Sequence, residues 1–394
     1  MGRNLVTTNT GSVGHATSQD VFGTGNYQIF LQSGTFTTPT GITVLRVRCW
    51  GAGGGGPVQA DCATGGGGGG YSQKVITSPT ASYSVTIGAG GAASINDASN
   101  PSAGGTSSFG SVISSTGGGA GNRAGVSNNG GAGGAGSSGD VNRTGGRGGN
   151  VSTNANSAGC STGGGSAAGP WGTGFNGGDM LRTSLGGGQH LATGGGGIGG
   201  NGGTIGSSTN NNHIATGGGG TGGAAQNVNT AGAVGYLGQP GGPDAFGNRP
   251  LSIAVNLLSL SSTGIIPTGA QIWNSETKLA TSSGQVSRFL GDVLTGAGGS
   301  GVVVQSTTTS VSAGSAGGGG GGGACVGQGS DDGMRHAGSG GAFGGGGGCS
   351  GRGSFMSSGA GGIAGGGGGM ASGENNSGKG TAGQGGNGLV VVEW

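Results

Sequence analysis

Glycine fills 116 of the 394 positions, and it stands in runs with their own grammar: residues 196–204 read GGI-GGN-GGT, residues 145–150 GGR-GGN and residues 130–135 GGA-GGA. This usage is roughly four times normal. Large apolar side chains are too few for an ordinary core of this length, which excludes a conventional enzyme fold. Collagen needs a strict Gly-X-Y register and abundant proline, whereas this chain has nine prolines and a broken register. Charge-driven disorder is excluded as well, because Asp, Glu, Lys and Arg make up only 7% and the net charge is +2.

A period of three matches the polyproline II geometry, with three residues per turn and about 3.1 Å rise per residue. Two faces of such a helix would carry only hydrogen, so neighbours can approach closely and bond laterally through their amides. Ordering a backbone costs about 1–2 kcal/mol per residue, while each lateral bond returns about 0.5–1.5 kcal/mol net. A single glycine rod is therefore unstable, and many rods packed on a template are expected. Runs of about six to ten residues would make rods roughly 20–30 Å long.

The template is legible at both ends of the chain. In residues 34–50, GTFTTPTGITVLRVRCW, Leu45, Val47 and Cys49 alternate with Arg46 and Arg48, the period of a half-buried strand. Further strands are expected at 71–77, 83–87 and 108–114, with turn chemistry at Pro39-Thr-Gly41 and Ser78-Pro79, and a last strand at 389–394. The predicted fold is mainly β, with very little α-helix. A small β unit is closed by both termini, and a sandwich of polyglycine II helices is inserted in it. The expected divisions are an N-terminal attachment arm (1–33), a β-rich unit (34–116), a first polyglycine II region with loops (117–245), a glycine-poor inserted module (246–312), a second polyglycine II region (313–388) and a closing strand (389–394). The inserted module reads as strands, with one short helix at 285–294.

Little in the chain carries catalytic chemistry. At this glycine content a GxGxxG match has no discriminating power. Residues 373–380, GENNSGKG, approach a phosphate-binding loop, but Gly380 stands where a hydroxyl belongs and no strand precedes it. The four histidines are scattered, with no metal-ligand spacing. Asp331-Asp332 beside Arg335-His336 is the densest charged spot and is taken as a ligand-contact or solvated loop. No cofactor, metal or nucleic-acid partner is expected, and neither is an enzyme activity. Cys49, Cys62, Cys160, Cys325 and Cys349 form no C-x-x-C pair and are expected as thiols; a Cys62–Cys325 bridge has only their shared position beside glycine runs to recommend it. The first residues lack a signal-peptide core and a myristoylation pattern, and no stretch approaches a membrane span, so neither export by a leader nor membrane insertion is expected.

Loops rich in side chains separate the glycine runs, at 57–64, 122–129, 150–162, 179–193, 207–216, 325–339, 351–358 and 371–379. Exposed aromatics framed by Asn, Ser and Gly have the composition of adaptable binding loops; equally, the aromatics would cap the rods. The candidates for partner contact are Trp171, Phe175, Asn210, Asn211, Asn212, His213, Tyr236, Asp331, Asp332, Met334, Arg335, His336, Phe355 and Met356. Tyr27, Ile29, Phe30 and Leu31 form an apolar patch suited to attachment, as an arm or a short strand.

The ordered set GTFTTPTGITVLRVRCWGAGGGG, GGGGGGYSQKVI, SYSVTIGAGG, GGTSSFGSVIS and GQGGNGLVVVEW resembles the glycine-rich domain of bacteriophage tail fibres. More loosely, it resembles the tip adhesins of T-even-like phage long tail fibres. The likeness covers residues 34–249 and 314–394 and departs at the insert and the N-terminal arm. It implies a protein of the phage tail, assembled in the host cytoplasm and carried by the virion. The arm would dock on a tail-fibre or baseplate protein, and the loops would bind a bacterial outer-surface protein or glycan. The chain would sit as a homotrimer or as a single copy on a trimeric shaft. A purely structural tail component and, more remotely, an ice-binding protein are the competing functions.

Overall fold

The computed structural model describes residues 26–96, 99–123, 126–155, 159–181, 184–185, 189–206, 213–220, 224–228, 236–237, 302–304, 311–312, 321–327, 334–351, 355–371 and 380–394. Among them the chain is mainly β, with no helix. The helix expected at 285–294 and nearly all of the inserted module lie outside the described residues.

Two five-stranded antiparallel sheets form the base. One runs in the order Tyr27–Phe30, Leu389–Glu393, Leu45–Trp50, Tyr71–Ile76 and Val141–Arg143. The other runs Gly136–Ser137, Ile113–Ser115, Ser107–Phe109, Ser82–Thr86 and Gly34–Thr37. The stretch predicted as one strand at 108–114 is two, because Gly110 takes φ 53° and turns the chain. Alternation places Leu45, Val47, Cys49, Val390 and Val392 between the sheets, against Phe36, Tyr83, Val85, Phe109 and Ile113. The opposite face of the first sheet is covered too: Trp50, Tyr71, Leu389 and Val391 pack on Ala167, Ala168, Ile198, Phe343 and Ala364. The expectation of a half-buried strand at 45–50 is thereby corrected, since Arg48 is buried and paired with Glu393.

Against that second face stand the glycine runs, and their bonding repeats every three residues. In the run 51–56, the amides of Gly51 and Gly54 donate to Gly70 and Gly67, those of Ala52 and Gly55 to Gly105 and Ser102, and those of Gly53 and Gly56 to Gly386 and Gly383. Three neighbouring runs are thus reached in rotation, at 2.8–3.1 Å. The lateral bonding expected from the GGX grammar is present. It also explains the composition: a Cβ built on Gly53 would lie 1.9 Å from the carbonyl oxygen of Gly365, so no larger residue fits there.

Away from the base, the runs continue into two inner sheets of parallel strands. One is ordered Tyr236–Leu237, His213–Ala215, His190–Ala192, Gly159–Ser161 and Cys62–Ala63; the other Val302–Val304, Cys325–Gly327, Cys349–Gly351, Met370–Ala371 and Val58–Gln59. Small side chains lie between the two sheets, at Ala192, Ala215, Ala324 and Val326. Leu191, Ile214, Cys62 and Cys160 face an outer row built from Val151, Met180, Ile205 and Val228. Cys325, Cys349, Met370 and Val58 face the other outer row, at Ala337, Met356 and Ala382. Cys62 and Cys160, opposed in register, are joined by a disulfide, which corrects the expectation of thiols at these two positions. Pairing across parallel strands brought them together, and no spacing in the sequence encodes it.

Candidate functional site

Parallel strands enter a sheet from one edge. In the first inner sheet the strands precede their glycine runs wherever both are described, as in Gly159–Ser161 before 163–168 and His190–Ala192 before 194–197. In the second sheet the described strands follow their described runs, as in Cys349–Gly351 after 344–348. In both sheets, therefore, the edge away from the glycine runs lies at one end, here called the tip. The described ends of the inner strands and outer rows that face this edge are those flanking the stretches of sequence richest in side chains. At the opposite end, tight turns return the chain: Gly344 donates to Gly341 and Gly365 to Gly362, each at 2.8 Å. The turn residues Phe343 and Ala364 take φ 64° and 58°.

A threonine marks the junction from strand to glycine run at four strands of the first inner sheet: Thr64, Thr162, Thr193 and Thr216, all buried. The hydroxyls of Thr162, Thr193 and Thr216 donate to the carbonyls of Gly149, Gly178 and Gly203 at 2.6 Å. They also accept from the amides of Gly65, Gly163 and Gly194 on the adjacent run. The side chain thus bridges runs where the twofold alternation of a strand gives way to a period of three. The signal was present in the sequence as a recurring Ala/Ser-Thr-Gly triplet, at 63–65, 161–163, 192–194 and 215–217.

The described surface of the tip presents residues that composition did not single out. Ile95 is 55% exposed beside Thr381 in one outer row, and Leu181 is 44% exposed next to Met180 in the other. Arg123 reaches the Ser99 carbonyl at 3.3 Å and Asn100 Oδ1 at 3.0 Å, tying two tip connections together. Asn96, at φ 50°, exchanges bonds with Gly380: its amide donates to the Gly380 carbonyl at 2.9 Å, and its Oδ1 accepts from the Gly380 amide at 2.7 Å. His336 is exposed and hydrogen-bonded to Ser357 Oγ. Among the described residues no three His, Cys, Asp or Glu side chains gather in a way that would hold a metal.

The expected contact residues divide. Trp171 is at the base, where its ring lies 5.1 Å from that of Phe343 and packs against the cluster around Trp50. Phe175 lies in the run returning from that turn, its amide bonded to Ser166 Oγ at 2.8 Å. Both are corrected from tip contacts to parts of the stack, because a glycine bundle has few other apolar groups with which to cover an aromatic ring. His213 and Met356 are at the tip but buried, His213 stacked on His190 at 5.6 Å and Met356 packed against the second inner sheet, so neither is a surface contact. Tyr236 pairs with Ile214, Met334 with Phe355 and Arg335 with Met356, so all four strand positions lie at the tip. Asn210, Asn211, Asn212, Asp331 and Asp332 lie outside the described residues.

The attachment patch is an edge strand of the base. Tyr27–Phe30 pairs antiparallel with the closing strand, in register from Tyr27 with Glu393 to Phe30 with Val390. Phe30 is buried in the sandwich core, Ile29 packs on the opposite face, and burial raises the Tyr27 phenol above its ordinary range. Leu31 remains 44% exposed.

A family model for a glycine-rich domain matches residues 31–242. The chain belongs to this glycine-rich domain family. The matched residues hold one base sheet, three strands of the other (Leu45–Trp50, Tyr71–Ile76 and Val141–Arg143) and the first inner sheet, together with the threonine junctions. No curated protein matches the chain.

Proposed function

We propose that this glycine-rich domain protein is a bacteriophage tail-fibre or tail-tip adhesin, whose tip loops bind a protein or glycan on the bacterial surface. The observation that carries the proposal is the division of the molecule into two unlike ends. Strand ends flanking the side-chain-rich stretches face one end, while the β unit and the chain's first described strand lie at the other. A rigid scaffold bearing variable loops is the common arrangement of binding proteins. The rotation of amide bonds through three neighbours supports polyglycine II helices as that scaffold. An apolar anchor at Ile95 beside Arg123, Asn96 and Asn100, and a second at Leu181 in the other outer row, fit recognition by a few buried contacts within a polar rim. The base then docks on a fibre or baseplate protein, in the virion's tail.

The test is competition. Purified protein added to host bacteria is expected to bind them and to block phage adsorption. Paired substitutions Ile95→Asp and Leu181→Asp should weaken blocking about tenfold while leaving thermal unfolding unchanged. A folded protein that neither binds cells nor blocks adsorption would instead be a structural tail component.

A further inference from the structure

The two inner sheets carry cysteine pairs at matching places. In the first, Cys62 and Cys160 are direct partners on adjacent parallel strands, with Cα atoms 4.5 Å apart, and they are disulfide-bonded. In the second, Cys325 and Cys349 are likewise direct partners on adjacent parallel strands. Residues opposed in register point to the same face, and both cysteines are wholly buried in one cluster with Met356 and Met370. Each pair faces the seam between its inner sheet and the neighbouring outer row. Adjacent strands lie about 4.8 Å apart, within the roughly 4.4–6.8 Å over which a disulfide spans two Cα atoms.

We propose that Cys325 and Cys349 are a second oxidation site, closing to a cross-strand disulfide that fastens the tip on the side opposite Cys62–Cys160. The oxidant is a low-molecular-weight disulfide. One thiolate attacks it to give a mixed disulfide and releases one small thiol. The second cysteine then displaces the other small thiol. Two protein thiols are oxidised by two electrons and one small disulfide is reduced to two thiols. Because the pair is buried, the exchange runs as the two strands dock or when the tip opens locally. The bond would link the connections that follow Gly327 and Gly351, two of those proposed to meet the partner.

The experiment counts thiols in the full-length protein. Purified protein is incubated with oxidised glutathione, denatured without reductant in an alkylating agent, and weighed. One alkylated cysteine, Cys49, is expected, against three where only Cys62–Cys160 is joined. Trypsin cuts after Arg288, Arg335 and Arg352, so a linked pair of peptides, 289–335 with 336–352, should appear and vanish on reduction. Three alkylated cysteines after prolonged oxidation, or Cys325 linked to any residue but Cys349, would overturn the proposal. Cys325→Ser should show two alkylated cysteines. The count on the unsubstituted protein decides the matter if that variant does not fold.

Discussion

Glu393, next to last in the chain, meets Arg48 across the two central strands of the base, Nη2 to Oε1 at 3.0 Å, with both side chains all but removed from water. Arg46 bonds the same carboxylate from two residues earlier. Removing one partner of a buried pair strands a charge, typically at about 3–5 kcal/mol. Glu393→Ala is therefore expected to lower stability by about that amount in denaturant unfolding. A loss below about 1 kcal/mol would show that water reaches the site.

The close approach of the runs makes a sharp forecast at Gly366. A Cβ there would stand 2.1 Å from the Gly66 carbonyl oxygen, and backbone cannot swing aside as a side chain can. Gly366→Ala should cost at least about 3 kcal/mol, beyond the usual range for overpacking. Gly34→Ala, whose nearest neighbour would be Phe30 at 3.8 Å, should change the unfolding midpoint little.

Thr193 donates to the Gly178 carbonyl and accepts from the Gly163 amide. Thr193→Val keeps the shape and leaves those backbone groups unmatched, for a loss of about 1–3 kcal/mol. Thr193→Ser should recover most of it. Equal stability of the two variants would mean that the methyl group, not the hydroxyl, matters at the junction.

Burial pushes the Cys49 thiol up to about 12, partly offset by its hydrogen bond with Ser115. The folded state disfavours the thiolate, so its contribution to stability is complete below the ordinary value near 9. It is lost as pH rises from there toward 12. Alkaline unfolding should therefore steepen across that window and be shallower in Cys49→Ala. Native protein at pH 8 should leave Cys49 unalkylated. Equal alkaline profiles for the two proteins would remove the thiol from the explanation.

Trp171 separates stability from recognition. It packs at the base, on Phe343, so Trp171→Ala should lower stability by about 3 kcal/mol or less, being only partly buried. Adsorption measured on the folded fraction should not change. Lost adsorption with full stability would place a contact surface at the base.

Much of this architecture was legible from residue types. Alternation at Leu45, Val47 and Cys49 announced a base strand, and the GGX grammar announced rods bonded in threes, because both are local periods that backbone geometry imposes. The Thr-Gly junctions are equally local, but a single Thr-Gly step is too common in such a chain to stand out, and only its recurrence at the head of successive runs marks it. The aromatic ring of Trp171 looked like a loop anchor, since a ring beside glycine gives no sign of which end of a rod it will cover.

Glycine content and its period determined by themselves that this protein holds together by backbone bonds and close approach instead of a large apolar core, since a residue without Cβ permits little else when ordered. Which runs are neighbours was decided only by the tertiary structure. So were the Cys62–Cys160 bond, the pairing of Glu393 with Arg48 and the gathering, at one end, of the strand ends that flank side-chain-rich stretches. Each of these joins segments far apart in the chain, and bare glycine faces carry no side chains by which a sequence could specify its neighbours.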